Sequence, residues 1–249
     1  MGKKNRIKNR EQRMTARETV KAAQTRQQRQ EAISKNIFRA GIAAILVASM
    51  AAFYFIVQSN QNKINTTLPL AKIGPTADAA GCDPYVFTDA EGNGDHIPYG
   101  ERIDYETAPP AFGPHYVEPV GMARKYYTPQ DRPDVESLVH NLEHGFTIIW
   151  YMADKITPAQ DKQLRQIASK YPQQAGLEGK VIVAPWTEED GKPFPDNKTV
   201  ALTHWLFQRG DEPGQVGVRQ YCDAPSGEAL ETFVKKFPFL NAPEGNVPG

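Results

Sequence analysis

The chain has 249 residues, of which 40% are hydrophobic, and it carries 29 basic and 29 acidic side chains. This length accommodates one or two domains, so the core need not be marginal. The zero net charge conceals a division, because residues 1–39 carry 12 Lys and Arg against three Glu while the remainder carries 17 basic and 26 acidic residues. A basic arm therefore precedes an acidic body.

The basic arm, residues 1–39, is rich in Gln, Arg, Lys, Ala and Glu and has no aromatic residue before Phe38. Such a segment cannot bury a core of its own, and it is expected to be disordered or to form a helix on a surface. Anionic membrane lipid would attract it by ~1 kcal/mol per basic residue near the surface. Nucleic-acid binding is disfavoured because no aromatic side chains stand between the charges to stack on bases.

Residues 40–57 contain no charged side chain. At ~1.5 Å per residue, this stretch spans roughly 27 Å as a helix, which suffices for the hydrocarbon core of a membrane. The basic residues precede it, so the positive-inside rule predicts a cytoplasmic amino terminus, a single-pass transmembrane helix and an extracytoplasmic body. A cleaved signal peptide fits less well because its basic region would be much shorter than 39 residues.

The polar, Pro- and Gly-punctuated residues 58–80 predict a linker, and residues 81–249 predict one exported domain. Both cysteines, Cys82 and Cys222, lie in this domain near its two ends. An oxidising compartment favours a disulfide between them. The alternative is that Cys82 is a soft metal ligand, which is disfavoured because neither cysteine has a nearby His or second Cys in the sequence.

The exported domain shows helical and extended patterns that interleave irregularly. Residues 81–133 contain eight prolines and predict mostly loops with short extended pieces. Helices are predicted over 134–144, with Asp134 as N-cap and Gly145 just past the end, over 157–170 and over 226–237. Strands are predicted over 146–151, 181–184 and 199–205. The fold class is therefore α+β, a small sheet with flanking helices and long Pro- and Gly-rich loops, preceded by one transmembrane helix.

Four of the five histidines fall within 49 residues of one another in the chain: His96, His115, His140 and His144. The last two belong to the run Leu-Val-His-Asn-Leu-Glu-His-Gly, and their spacing places both imidazoles on one face of the predicted helix. His96 lies in a glycine loop and His115 in a loop stiffened by prolines. Loops of restricted backbone are suited to aiming ligands at a helix.

This pattern predicts a transition-metal site, for copper or zinc, in which the four imidazoles are the ligands. If only three of them bind, Asp95, Glu143 or a water completes the set. Asp95 and Glu143 are predicted to hydrogen bond to the imidazoles and fix their orientation. Met122 is a possible soft ligand if the ion is copper. The competing interpretation is that the histidines are structural, His144 being stabilised by the helix dipole, and that the protein is an accessory or assembly subunit of a membrane protein complex.

A third interpretation is a zinc hydrolase, because His-x-x-Glu-His also matches one metallopeptidase class in which the Glu activates water. It is disfavoured because Gly145 ends the helix immediately and the body is small for that class. The sequence also lacks a Gly-x-Ser-x-Gly elbow, a phosphate-binding loop and a Cys-x-x-Cys pair. No catalytic residue is therefore assigned, and the sequence favours a binding protein over an enzyme.

Three segments of this body resemble a bacterial family catalogued as domain-of-unknown-function family 3105. They are Gly-Asp-His-Ile at 94–97, Pro-Pro-Ala-Phe-Gly-Pro-His-Tyr at 109–116, and 138–145, which contains His140 and His144. The resemblance covers about 82–205 and implies a basic amino terminus, one membrane span and an exported domain. The chain departs from the family pattern at Ala111-Phe112, where Thr-Ser or a similar pair is expected. No activity is implied, but the resemblance groups the histidines as one set.

Overall fold

A computed structural model describes residues 21, 26, 29, 41–42, 44–54, 68–90, 94–172 and 179–247. The rest of the predicted basic arm, residues 40, 43 and 55–57 of the predicted span, and residues 58–67 of the predicted linker lie outside the described residues. The chain divides into two compact units, Met1–Lys63 and Ile64–Gly249.

In the first unit, residues 41–42 and 44–54 are helical. Among the described residues, no helix combines the length and the apolar character needed to cross a bilayer. Exposed apolar side chains follow one another along this segment, including those of Leu46, Met50 and Phe53.

The second unit is an α+β fold, as predicted. Its strands are β1 Val86–Asp89, β2 His96–Ile97, β3 His115–Tyr116, β4 Thr147–Met152, β5 Val181–Trp186, β6 Val200–Leu206 and β7 Val216–Cys222. Its α-helices are α1 Val135–Glu143, α2 Pro158–Ala168 and α3 Gly227–Lys236. Five strands form one sheet in the order β1-β7-β6-β4-β5, and β2 pairs with β3 in a separate two-stranded sheet.

Strands β4 to β7 are buried on both faces of the five-stranded sheet, whereas the edge strand β1 is partly exposed. Only β4 and β5 run parallel, and the other neighbours are antiparallel. Alternate residues of β4 enter different apolar clusters: Trp150 belongs to the cluster that contains Leu138 of α1, and Ile149 belongs to the cluster that contains Leu164 of α2. This is the two-residue alternation of a strand whose faces both pack against helices or loops.

The three helices predicted within the exported domain are confirmed, with boundaries shifted by one or two residues. Thr157 caps α2 with a complete capping box to Gln160, as the sequence indicates. Asp134 occupies the N-cap position of α1, but its side chain makes no capping hydrogen bond. Gly145 lies just past α1 at φ +87°, and a Cβ there would stand 2.4 Å from the carbonyl oxygen of Phe239. Glycine is therefore required for both backbone conformation and close packing.

The local sequence does not predict strand β7. Gly217 and Arg219 interrupt its apolar alternation, and both turn out to be buried. A Cβ at Gly217 would lie 2.3 Å from the Phe112 side chain, so the glycine admits that ring against the sheet. The buried Arg219 guanidinium donates to the carbonyl oxygen of Pro109 and to the hydroxyl of Thr107, which lie in the loop before β3. Tertiary contacts thus account for a strand that local propensity does not predict.

The predicted disulfide is confirmed. Cys82 and Cys222 are bonded across a sequence separation of 140 residues, and no described cysteine is free. The bond joins the segment before β1 to the last residue of β7. The alternative assignment of Cys82 as a metal ligand is wrong, because its sulfur is consumed in the disulfide.

Helix α1 is fixed over the sheet by an apolar stripe and by one polar clamp. Leu138, Val139 and Leu142 are completely buried. The side chain of Asn141 accepts from the backbone N–H of Val120 and donates to the carbonyl oxygen of the same residue, at 2.9 and 2.8 Å. The carboxyl end of α1 is thereby held against the loop that follows β3.

Candidate metal centre

Three of the four predicted histidines converge with Glu143. Ligand atoms of His96, His115, His140 and Glu143 lie within 4.8 Å of one another, so these four side chains form a cluster that could hold a metal ion. We call this set the central cluster. His140 and Glu143 are one helical turn apart at the end of α1.

The other two histidines of the central cluster are placed by the parallel pairing of β2 with β3. The register sets His96 opposite His115, and their ring centroids are 5.0 Å apart. Asp95 is exposed, and its carbonyl oxygen accepts from the backbone N–H of His115 at 3.1 Å. Its visible contribution is therefore to join the two strands through the backbone. His115 is completely buried whereas His96 is exposed, so the cluster has one side open to solvent.

Backbone carbonyl groups fix the tautomers of the two buried imidazoles. Nδ1 of His115 is 2.8 Å from the carbonyl oxygen of Gly113, and Nδ1 of His140 is 2.6 Å from that of Tyr116. A carbonyl oxygen only accepts, so each Nδ1 carries the hydrogen and donates it. In each neutral ring the Nε2 lone pair is then free to bind an ion, which is how metal-ligating histidines are commonly oriented.

The contact between His115 and Glu143 needs a positive charge. His115 Nε2 lies 3.1 Å from Glu143 Oε2, yet this buried nitrogen has no partner in hydrogen-bonding geometry. With a neutral imidazole, a nitrogen lone pair would face a carboxylate oxygen, and the two would repel each other. A cation at this position, whether a proton or a metal ion, removes the repulsion.

The protonation states of the neighbouring groups match the requirements of a metal site. Burial lowers the pKa of His140 to about 4, so this imidazole is neutral near pH 7. Burial alone would raise the pKa of Glu143, but the contact with His115 and the nearby His140 and His144 outweigh it and hold the pKa below its ordinary value. His140 therefore presents a neutral nitrogen and Glu143 an anionic oxygen, the forms in which these groups bind a metal ion.

His144 lies beside the central cluster, and its ring contacts a residue that sequence reasoning did not find. Its Nε2 is 3.0 Å from Nε2 of His140 and 3.2 Å from Oε2 of Glu244. Burial lowers the pKa of His144. Glu244 stands 100 residues downstream in a Pro- and Gly-rich tail, and nothing in that local sequence marks it as part of the site.

This geometry bears on the zinc-hydrolase interpretation and on Met122 as a candidate ligand. In the peptidase arrangement both histidines of the motif bind zinc and the Glu stands off as a base, whereas here Glu143 is within the converging group. Met122, considered as a soft ligand, accepts a hydrogen bond from Nζ of Lys125 at 3.5 Å through its sulfur. Neither observation favours a hydrolytic centre or a sulfur-rich one.

The fifth histidine, His204, serves the fold. It is completely buried on β6, and its Nδ1 lies 3.0 Å from the carbonyl oxygen of Phe146, which it reaches as a donor. Burial lowers its pKa to about 4. The lone histidine outside the 96–144 region is thus a neutral, buried strand residue, which makes it a useful reference for substitutions in the cluster.

The comparisons with known proteins give one match. The family described as "Protein of unknown function (DUF3105)" matches residues 96–248, more than half of the chain. The match begins at His96 and includes Glu244, so it covers the central cluster, His144 and Glu244. No curated protein and no solved structure matches the chain significantly.

Proposed function

This chain belongs to the DUF3105 family, whose function is unknown, and we propose that its folded unit binds one zinc or copper(II) ion through His96, His115, His140 and Glu143. The observation that carries the proposal is the buried Nε2 of His115, which faces the Glu143 carboxylate at 3.1 Å with no hydrogen-bond partner. A metal ion between these atoms would be bound by both.

The donor set supports a borderline divalent ion. Imidazole suits zinc and copper, and one carboxylate completes a tetrahedral shell for zinc. Thiolate is excluded because the only two cysteines form the disulfide, which disfavours copper(I). In a tetrahedral shell, ligands at ~2 Å from the ion stand roughly 3.3 Å apart. The four atoms, now within 4.8 Å of one another, therefore need to close in by up to about 1.5 Å.

Metal titration of the full chain in mild detergent tests the proposal. One equivalent of zinc or copper(II) should bind in isothermal titration calorimetry, and mass spectrometry of the reconstituted protein should find the same ratio. His140→Ala should abolish stoichiometric binding because it removes one of the four proposed ligands. His204→Gln is the matched control and should retain it. A folded wild-type protein that takes up neither ion would overturn the proposal.

We further propose that residues 40–57 anchor the protein in a membrane, with residues 81–249 outside the cytoplasm. The support is the uncharged eighteen-residue run and the 12 basic residues that precede it. The full chain should stay with membranes during alkaline carbonate extraction, and protease added to spheroplasts should digest the body. A variant without residues 40–57 should be released. Extraction of the full chain into the supernatant, or protection of the body, would contradict this topology.

A further inference from the structure

A line of ligand atoms extends from the central cluster to solvent. Glu244 Oε2 lies 3.2 Å from His144 Nε2, which lies 3.0 Å from His140 Nε2. Exposure falls steeply along this line, from 51% for the Glu244 side chain to 7% for that of His144. The line therefore begins at the surface and ends at a member of the central cluster.

The carboxyl-terminal segment holds Glu244 in this position through its backbone. The N–H of Glu244 donates to the carbonyl oxygen of Glu143 at 2.9 Å. The buried Nζ of Lys180 donates to the carbonyl oxygens of His144, Gly245 and Val247. An ammonium group shared by three carbonyl oxygens ties the end of α1 to the tail. The backbone of Glu244 is therefore held both at its own N–H and at the residue that follows it.

The spacing of these atoms suits an ion that moves along the line. Two ligands on one ion, each at ~2.0–2.2 Å and separated by an ordinary coordination angle, stand roughly 3.0–3.5 Å apart. Glu244 with His144, and then His144 with His140, are both pairs at this separation. Each neighbouring pair can therefore bind the ion through two ligands before the ion reaches the next ligand along the line.

The lone pairs limit how many ions the line can hold. Nδ1 of His140 donates to the carbonyl oxygen of Tyr116, so the imidazole offers one lone pair, on Nε2. One lone pair binds one ion. An ion in the central cluster and an ion held by His144 with His140 therefore exclude each other, and the line does not constitute a second storage site.

We propose that Glu244 and His144 form an exchange path by which the metal ion enters and leaves the central cluster. The proposal rests on the proposed metal binding and adds a function for the site, namely transfer of the ion rather than its permanent retention. Glu244 captures the hydrated cation, His144 takes it from the carboxylate, and His140 passes it to the other three ligands by successive ligand exchange. When His144 binds the ion through Nε2, the hydrogen that this nitrogen donates to His140 Nε2 in the metal-free protein moves to Nδ1 of His144, which has no other partner.

Stopped-flow measurements with the full chain, zinc and a chromophoric chelator test the path. In Glu244→Gln, the rates of zinc uptake and release should each fall roughly 10-fold or more, because carboxylates that focus cations raise on-rates by 10–10³. The dissociation constant should stay within about threefold of wild type, because a path alters both rates together. Glu189→Gln is the matched control, since it removes one exposed carboxylate beyond the far end of β5 and should change neither rate.

His144→Asn provides a second variant that does not depend on the exposed carboxylate, and it should slow exchange to a similar degree. Unchanged rates in both variants would overturn the path and place entry on the exposed His96 side. A large loss of affinity without slower exchange would also overturn it, because it would make His144 a permanent ligand. Failure of the wild-type protein to bind zinc would instead refute the proposed metal site itself.

Discussion

Glu143→Gln is expected to weaken zinc binding roughly 100-fold or more, since even residues that only orient metal ligands cost 10–100-fold when they are replaced. The substitution preserves shape but removes the anionic oxygen that faces Nε2 of His115 at 3.1 Å. An amide oxygen is a poor replacement because it is neutral and a weaker donor to a borderline ion. Isothermal titration calorimetry of the two folded proteins measures the loss directly.

Glu136→Gln is the matched control for this prediction. Glu136 lies on the same helix, two turns earlier, is also buried, and accepts from the backbone N–H of Ile103 through Oε1, which an amide oxygen can replace. Its zinc affinity should remain that of the wild type. Should Glu143→Gln leave the affinity unchanged and destabilise the metal-free protein by about 3–5 kcal/mol, as loss of one partner of a buried ion pair does, the cation between His115 and Glu143 would be a proton.

Replacing both cysteines by alanine is expected to lower the free energy of unfolding by about 4–5 kcal/mol, the chain-entropy value for a loop of this length. The disulfide closes a segment with a sequence separation of 140 residues, so its loss frees most of the folded unit in the unfolded state. The melting temperature should fall by roughly 10–20 °C, given ≈ 2–4 °C per kcal/mol for a domain of this size. Thermal unfolding followed by circular dichroism, with and without reductant, measures it.

Metal binding provides the control for the disulfide variant. Cys222 pairs with Val200 at the end of the sheet where β4 finishes, whereas α1 leads into the start of β4. Zinc affinity measured well below the melting temperature should therefore be unchanged. A fall in melting temperature of less than about 2 °C, at most one kcal/mol by the same conversion, would contradict the prediction and indicate that residual contacts already constrain the unfolded chain.

The parts of the fold that sequence reasoning recovers are those encoded locally. Helix α2 begins with a capping box at Thr157, and α1 ends at a glycine that requires positive φ, so both boundaries follow from neighbouring residues. Strand β7 escapes prediction because Gly217 and Arg219 are explained only by Phe112 and Pro109, more than 100 residues earlier in the chain. Non-local contacts of this kind produce no periodic pattern of apolar residues in the local sequence.

The candidate site likewise has a part that the local sequence encodes and a part that depends on non-local contacts. His140 and Glu143 meet through helical spacing, and the restricted loops that carry His96 and His115 mark these two as further candidates. The sequence therefore identifies all four residues that converge. It does not reveal that Glu143 stands within the group while His144 stands beside it, because that depends on how α1 is rotated over the β2–β3 pair. The position of Glu244 depends on where the carboxyl-terminal segment folds back onto the end of α1. The contacts with Lys180 and with the backbone of Glu143 determine that place.

The parallel pairing of β2 with β3 restricts which insertions and deletions the protein can tolerate. Side chains alternate along a strand, so a slip of one residue would bring Tyr116 opposite His96 and turn His115 to the other face. The connection between the strands, residues 98–114, can therefore change in length only by bulging outward. Gly100, at which an added Cβ would meet open space, is a point where that can happen. Insertions or deletions in this connection should preserve the register that pairs His96 with His115.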